Sequence, residues 1–176
     1  MKIRSVRALR ITTLAENSCG LGTRDPSSRC LGQWGLSFLL ELADSRGDNR
    51  KVIFDTGMYK QALLRNIKAL KVNLRDLDCI VLSHGHLDHT AATVEIVKAT
   101  GNTKIYAHPH TFLPRFWKDK TGKRHKIGVP NGEDEKEIER AGGEILLKAE
   151  PREIIPGVCH RANQESNTIR TAAAPF

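Results

Sequence analysis

Aromatic residues are scarce in this 176-residue sequence: they make up 5% of it, as five Phe, two Trp and two Tyr. Basic residues exceed acidic ones, with 28 Lys and Arg against 20 Asp and Glu, so the formal charge is +8. Proteins that bind nucleic acid interleave aromatic and basic side chains in recognisable motifs, and no such motif occurs here. We therefore expect no nucleic-acid partner. The charge indicates either a solvated basic surface or an anionic small-molecule substrate.

Long hydrophobic runs are also missing. The longest candidate, residues 34–42, is interrupted by Ser37 and Glu41, whereas a membrane helix needs about 20 apolar residues. Met1 to Arg4 form a basic start without an apolar stretch behind it. The sequence therefore predicts no membrane segment and no secretory signal, and we expect a cytoplasmic protein.

Cysteine is infrequent, and the four present include no Cys-x-x-Cys pair: Cys19, Cys30, Cys79 and Cys159. Cys79 opens an apolar run and is predicted to be a small buried side chain. Cys19 and Cys30 could approach each other, but we do not expect a disulfide in a chain without a secretory signal.

Short strands and helices are mixed along the chain. Apolar runs and alternation predict strands at residues 3–14, 36–42, 52–54, 79–82, 103–107, 145–147 and 153–155. Helical spacing predicts helices at residues 59–70, 90–99 and 133–141. Residues 15–33 and the basic segment 113–132 are predicted to be irregular. This mixture indicates an α/β or α+β layered fold.

The chemistry concentrates in six consecutive residues, His84-Gly85-His86-Leu87-Asp88-His89. Three imidazoles and a carboxylate this close together arise by chance on the order of once in a thousand such sequences. Zn²⁺, Fe and Mn all accept imidazole and carboxylate as ligands. The cluster directly follows a predicted buried strand, which is a rigid platform for a site.

The spacing of the cluster favours two metal ions. His84 and His86 are two residues apart, so in an extended turn they project to the same side and can bind one ion. Asp88 and His89 are adjacent and can reach a second ion, while Gly85 lets the backbone bend. We expect two divalent metals, with zinc as the first candidate and Mn, Fe or Mg as alternatives.

Asp55 is the second element of the predicted site. It ends an apolar strand and precedes Thr56 and Gly57. A carboxylate there can orient a ligating histidine by accepting the hydrogen of its other ring nitrogen. The alternative is an N-cap for the helix that starts near Met58, and both roles can coexist.

These motifs resemble the metallo-β-lactamase superfamily, through Phe54–Gly57 and above all through Ser83–Thr90. Further stretches are similar to one branch of it, the dihydropterin–ribofuranosylaminobenzene 5′-phosphate synthase-like proteins of methanopterin biosynthesis. They are residues 16–17, 34–37, 81–86, 105–109 and 113–115. The resemblance extends from residue 3 to about residue 157 and implies an αββα sandwich with the metals at one edge of two sheets.

The resemblance also implies a ligand set. Positions matching His84 and His86 bind the first metal, and those matching Asp88 and His89 bind the second. A further histidine, an acidic bridge and a last histidine come from the C-terminal half of family members. His160 lies 71 residues after His89, but the segment before it looks like one that precedes a family loop.

The last residues do not resemble the family. We assign residues 1–158 to the N-terminal portion of the family domain and residues 159–176 to an atypical tail, with the C-terminal part of the fold incomplete. The tail is expected to be a truncated or frameshifted end. If a shifted reading frame downstream of Val158 does not encode the missing half, His160 becomes a stronger ligand candidate.

The remaining histidines and the basic segment 113–132 have weaker predictions. His108 and His110 lie at a strand end, where either a surface position or contact with substrate is compatible with the pattern. His125, Arg115 and their basic neighbours could hold a phosphate above the metals, or could form a solvated loop.

Metal-dependent chemistry on an anionic small molecule is the predicted function, with Asp88 as the catalytic candidate that handles a proton. The resemblance favours a synthase of methanopterin biosynthesis. The alternatives are a hydrolase of a phosphorylated or ester small molecule and an inactive fragment with half of the ligands. The sequence leaves the oligomeric state open.

Overall fold

A computed structural model describes residues 6–18, 29–44 and 46–160 of the chain. Its strands are β1 (Val6–Ala15), β2 (Ser37–Asp44), β3 (Asn49–Phe54), β4 (Cys79–Val81), β5 (Lys104–Ala107), β6 (Phe116–Lys118), β7 (Arg124–Lys126), β8 (Glu144–Leu147), β9 (Arg152–Ile155) and β10 (Val158–His160). Its helices are α1 (Lys60–Ala69), α2 (Leu87–Thr90), α3 (Thr93–Thr100) and α4 (Glu135–Arg140).

Six strands form one mixed sheet in the order β1-β2-β3-β4-β5-β8. The first three strands are antiparallel, and β3, β4, β5 and β8 run parallel. The register pairs Phe54 with Val81 and Val81 with Tyr106. The residues that follow β3, β4 and β5 therefore emerge at one edge of the sheet, where open α/β sheets place their sites.

The helices cover one face of this sheet. Alternate strand residues point toward the helices because side chains alternate along a strand. The resulting core contains fully buried strand residues and the apolar sides of three helices, among them Leu39, Ile53, Ile80, Ile105, Leu63, Ile67, Ile96, Val97 and Ile138. Burying each such side chain contributes roughly 1.5–3 kcal/mol, so this core fixes the strands that carry the site.

The opposite face has its own smaller core, formed by Leu42, Val52, Cys79, Val81 and Tyr106. The β9–β10 hairpin packs against it through Ile154, Ile155 and Val158. The mixed α/β layered architecture predicted from the sequence is thus confirmed. The described residues supply one helix layer, one large sheet and a hairpin on the sheet's other face.

One predicted helix is divided in two. Residues 90–99 were expected to form a single helix, but α2 ends at Thr90 and α3 begins at Thr93. The amide of Ala91 donates to Gly57 O at 3.1 Å, and that of Ala92 donates to Thr56 Oγ1 at 3.4 Å. The backbone amides that would continue the helix therefore bind the segment after β3 instead.

The basic segment 113–132 is not wholly irregular, because β6 and β7 form a hairpin within it. Asp119 shapes its turn by accepting from the amides of Thr121 at 2.9 Å and Lys123 at 3.1 Å. Strand β10 also extends through His160, two residues beyond the expected domain end. Residues 161–176 of the predicted tail lie outside the described residues.

Cys79 is fully buried, as predicted, and burial raises the pKa of its thiol to about 12. A possible approach of Cys19 to Cys30 is not described, because Cys19 lies outside the described residues. None of the helices in the described part of the chain is long and apolar enough to cross a membrane.

Candidate metal centre

The six-residue cluster starts three residues after β4 and ends in α2, a single helical turn. Its backbone is held from both sides. His86 forms an isolated β-bridge with Gly128, and Leu87 donates its amide hydrogen to Ile127 O at 2.9 Å. On the other side, Thr56 donates to His89 O at 2.8 Å. The imidazoles are therefore presented by a fixed loop.

Gly85 is required by close packing. A Cβ atom at this position would lie 1.7 Å from Thr111 O and 2.5 Å from an Arg115 guanidinium nitrogen. Arg115 in turn donates to Thr111 O at 2.8 Å and to His110 O at 2.7 Å. Only glycine lets the loop pass this segment, so the spacing between His84 and His86 depends on it.

Asp55 connects the two strands beneath the cluster. Its side chain is fully buried and accepts from Ser83 N at 2.8 Å, Ser83 Oγ at 2.6 Å and His89 Nδ1 at 2.7 Å. Its φ of 58° lies in the left-handed region, which Asp tolerates better than most residues. Asp55 thus binds a histidine ring nitrogen as predicted, and the role of that histidine as a metal ligand stays a prediction. The N-cap alternative is wrong because α1 begins after Tyr59.

These contacts fix the tautomers of two histidines. Asp55 has only acceptor atoms, so His89 carries its proton on Nδ1 and leaves Nε2 free. Ser83 donates its hydroxyl hydrogen to Asp55, so its oxygen accepts from His84 Nδ1 at 2.9 Å. His84 therefore carries its proton on Nδ1, and its Nε2 atom has a lone pair.

The remaining polar atoms of the four side chains lie in two close pairs. His84 Nε2 lies 2.9 Å from His86 Nδ1, and His89 Nε2 lies 3.5 Å from Asp88 Oδ2. The ring centroids of His84 and His89 are 4.2 Å apart, so the pairs are neighbours. The division of these pairs between two metal ions stays a prediction.

The surroundings keep two of the rings neutral. Burial lowers the pKa of His84 to about 4, and the charges of His89 and His86 act in the same direction. Burial also lowers the pKa of His86, with Arg115 contributing. For His89, burial acts to lower the pKa, but the hydrogen bond and charge of Asp55 outweigh it and the pKa is raised. Neutral imidazoles have the lone pair that metal binding needs.

The donor set fits a divalent metal in chemistry but supplies few ligands to each ion. Three imidazole nitrogens and a carboxylate oxygen suit zinc. Among residues 6–18, 29–44 and 46–160, however, no three His, Cys, Asp or Glu side chains are arranged to hold one ion. The ligand set that the resemblance implies, in which the C-terminal half completes both half-sites, stays a prediction.

The other histidines lie around this centre with different partners. His108 follows β5 at the same sheet edge and is buried, with its Nδ1 accepting from His110 N at 3.1 Å. His125 pairs with Asp119 Oδ2 at 2.7 Å and packs against Trp117. Arg115 donates through its two terminal guanidinium nitrogens to the carbonyls of Thr111, Leu113 and His110, so it stabilises the loop. Its role in holding a phosphate stays a prediction.

His160 lies at the end of β10, 6% exposed, and burial lowers its pKa. Its Nε2 and that of His108 have no hydrogen-bond partner among the described residues. Neither joins the pairs formed by the cluster, so the role of His160 as a ligand stays a prediction.

Sequence reasoning overlooked Ser83 and Gln33. Ser83 lies within the quoted motif, and its position directly before His84 was the available signal. Gln33 lies in a segment predicted to be irregular, yet its buried side chain accepts from the amides of Met58 at 3.0 Å and Tyr59 at 2.6 Å. No local pattern indicates such a contact across 25 residues of sequence.

Comparison with known proteins decides the family. The model of the metallo-β-lactamase superfamily matches residues 35–160. The chain belongs to the metallo-β-lactamase superfamily. This match contains Asp55 and the whole metal-binding cluster, so the resemblance and the layered fold expected from it are confirmed.

Two curated relatives come from Methanocaldococcus jannaschii. One is a 7,8-dihydropterin-6-methyl-4-(β-D-ribofuranosyl)-aminobenzene-5′-phosphate synthase, 35% identical over 159 residues, which are 90% of this chain and 51% of that protein. The other is an uncharacterised protein, 31% identical over 115 residues, or 65% of this chain and 41% of that protein. The chain thus spans about half the length of the curated relatives it matches.

Solved structures of the superfamily are also similar. A quorum-quenching N-acyl homoserine lactone hydrolase aligns with a TM-score of 0.48 at 19% identity, covering 90% of this chain and 64% of that one. The subclass B3 metallo-β-lactamase of Bradyrhizobium japonicum aligns with a TM-score of 0.41 at 18% identity, covering 67% and 42%.

Proposed function

We propose that this chain forms the N-terminal part of a metal-dependent enzyme that joins a pterin to an aminobenzene ribofuranosyl phosphate in methanopterin biosynthesis. The sequence similarity to the Methanocaldococcus synthase over 90% of the chain supports the substrate class. One observation supports metal dependence. His84 Nε2 lies 2.9 Å from His86 Nδ1, His89 Nε2 lies 3.5 Å from Asp88 Oδ2, and the two pairs are neighbours.

The residues would bind two divalent metals, with zinc as the first candidate. Bound metals would supply Lewis acidity that stabilises a leaving diphosphate or another developing anion. His84 and His86 would hold one ion, and Asp88 and His89 the other. Asp55 and Ser83 would keep the free Nε2 atoms of His84 and His89 aimed at the ions.

In this reaction the amine nitrogen of the aminobenzene attacks the methylene carbon of a diphosphate-activated pterin. A C–N bond forms, the C–O bond to diphosphate breaks, and the diphosphate leaves with the bonding electron pair. The amine loses a proton, and the Asp88 carboxylate is the proposed acceptor, through the oxygen that does not face His89. The Asp88 side chain is 19% exposed, so it lies within reach of a ligand at the surface of the cluster.

Metal content tests the first part of the proposal. Mass spectrometry of purified protein should give about two metal equivalents, because the two half-sites hold one ion each. The double variant His84→Ala/His86→Ala should lose the first ion and weaken the second. His125→Ala is the matched control, since that imidazole pairs with Asp119 outside the cluster. Unchanged metal in the folded double variant would contradict the assignment.

Turnover tests the second part. The protein should release diphosphate when a diphosphate-activated pterin and the aminobenzene substrate are both present, and the release should stop after chelation. Hydrolysis of phosphodiesters or esters without pterin turnover would instead favour the hydrolase alternative. Two bound metals without either activity would indicate that this length of chain binds metal without catalysing the reaction.

A further inference from the structure

Two exposed aromatic side chains line one cavity next to the metal-binding cluster. Trp34 is 65% exposed and Tyr59 is 52% exposed, in a protein with only nine aromatic residues of the Phe, Trp and Tyr types. Together with Met58 and Ile127 they border a cavity of about 500 Å³, which we call the aromatic cleft. Single exposed apolar residues are ordinary, but two large aromatics on one concave surface indicate a binding site.

The walls of the aromatic cleft are fixed to each other. Gln33, directly before Trp34, accepts from the amides of Met58 and Tyr59 through its buried Oε1 atom, at 3.0 and 2.6 Å. Gly57 donates to Leu36 O at 2.9 Å, which joins the same two segments on the other side of Trp34. A cleft held in this way loses little conformational entropy when a ligand binds.

The inner end of the cleft is the metal-binding cluster itself. His86 and Asp88 line the same cavity. Leu36 donates to Asp88 O at 3.3 Å, and a Cβ atom at Gly35 would lie only 1.8 Å from that oxygen. The backbone of the Trp34 segment is therefore packed directly on the residue proposed to accept a proton, and a ligand in the cleft reaches the cluster.

The lining defines the chemistry of the ligand. Aromatic faces, a thioether and a branched aliphatic side chain suit a flat ring, because stacking buries its faces and leaves its edges free. Of the residues that line the cleft, His86 supplies the imidazole and Asp88 supplies the carboxylate. A flat ring with its reacting substituent on one edge fits this distribution better than a sugar or a peptide, which need polar partners along their length.

We propose that the aromatic cleft binds the flat heteroaromatic ring of the substrate, stacked on Trp34 and Tyr59, with its reacting substituent directed at His86 and Asp88. This rests on the proposed function, since it takes the cluster as the reacting centre. The named product of the Methanocaldococcus relative contains a pterin ring, so the pterin is the probe of choice.

The two tryptophans give an internal control. Each contributes one indole N–H signal to a ¹H–¹⁵N spectrum, and the variants Trp34→Phe and Trp117→Phe assign them. Trp117 is 54% exposed but does not line the cleft. Titration of metal-free protein with pterin-6-carboxylate should shift the Trp34 signal until saturation and leave the Trp117 signal in place. Cyclohexanecarboxylate, an anion without an aromatic face, should shift neither.

Variants of the second wall test the stacking. Tyr59→Ala should raise the Kd for pterin-6-carboxylate about tenfold, which is the loss expected for one aromatic stacking partner. Tyr59→Phe keeps the ring and should bind like the parent protein. An unchanged Trp117 signal in each variant confirms that the protein is folded.

Several outcomes would overturn the proposal. They are no saturable shift at Trp34, equal shifts at both tryptophans, equal effects of the two carboxylates, or a normal Kd in Tyr59→Ala. A Trp34 signal that moves with protein concentration alone would assign the cleft to a second copy of the chain. The titration needs neither metal nor turnover, so the two proposals can fail separately. A saturable Trp34 shift in a protein that takes up no metal when metal is supplied would refute the proposed function and leave the cleft assignment intact. Turnover without a Trp34 shift would do the reverse.

Discussion

Replacing Asp55 with Asn should weaken metal binding while preserving the fold. The substitution keeps the size of the side chain, and Asn tolerates the left-handed φ of 58° at this position. The amide oxygen can still accept from Ser83 N, now 2.8 Å away. The amide nitrogen then faces His89 Nδ1, which lies 2.7 Å from the carboxylate oxygen in the parent protein.

The tautomer of His89 decides the effect. Facing an amide N–H, His89 Nδ1 must become an acceptor, so the proton moves to Nε2 and occupies the atom proposed to bind metal. If the new side-chain amide rotates so that its oxygen faces His89, its nitrogen faces Ser83 N, and two N–H donors then meet. Loss of such an orienting partner typically lowers metal affinity about 10–100-fold. Loss of charge-assisted hydrogen bonds should also lower the free energy of unfolding by about 2–3 kcal/mol.

Zinc competition with a chromogenic chelator measures the first effect, and urea unfolding measures the second. Asp78→Asn is the matched control, because Asp78 also accepts a backbone hydrogen bond, from Lys51 at 2.7 Å, and pairs with Arg50 at 3.0 Å. It should lose stability by about 1–2 kcal/mol with no change in zinc affinity. Equal zinc affinities of Asp55→Asn and the parent protein would refute the tautomer reasoning.

Two further predictions concern a glycine and a buried acid. Gly35→Ala should lower the free energy of unfolding by about 3 kcal/mol or more and displace Asp88, because the new Cβ would lie 1.8 Å from Asp88 O. Gly47→Ala has a similar positive φ but nothing within 4 Å of the new Cβ, so it should lower the free energy of unfolding by only about 1 kcal/mol. Urea unfolding of the two variants would show equal losses if the contact were unimportant. Burial raises the pKa of Glu133, which accepts from Val94 N at 2.8 Å, to about 7. The folded state therefore holds this proton more tightly than the unfolded state. Stability from this group is present below pH about 4.5 and is lost as the pH rises through about 7, by about 3 kcal/mol. The Glu133→Gln variant should lack that part of the pH dependence of unfolding, and identical curves for both proteins would contradict it.

The element order and the position of the site could be predicted because each strand is marked locally. The apolar runs before Asp55 and His84 are short and continuous, as expected for buried parallel strands. Each ends abruptly in polar residues. Adjacent parallel strands must then bring both ends to one sheet edge, so the Asp55–His89 contact follows from pattern and topology together.

Features that depend on distant partners could not be predicted. The break between α2 and α3 arises because Thr56 Oγ1 takes the amide of Ala92, which is 36 residues away. The local pattern there reads as one continuous helix. The β6–β7 hairpin was overlooked because its strands, Phe-Trp-Lys and Arg-His-Lys, are only three residues long and too short to show an alternation.

The cluster has two sides, and they can be perturbed separately. On its inner side, Ser83 and Asp55 bind the Nδ1 atoms of His84 and His89. On its outer side, Trp34 and Tyr59 border the cleft, and the segment after Trp34 joins the cluster through the hydrogen bond from Leu36 N to Asp88 O. Asp55→Asn should therefore reduce metal affinity without changing the Kd for pterin-6-carboxylate, and Tyr59→Ala should do the opposite. If each variant changed both constants by the same factor, the two sides would act as one unit. Metal binding and ring binding would then have to be assigned to a shared rearrangement of the loop from Ser83 to Thr90.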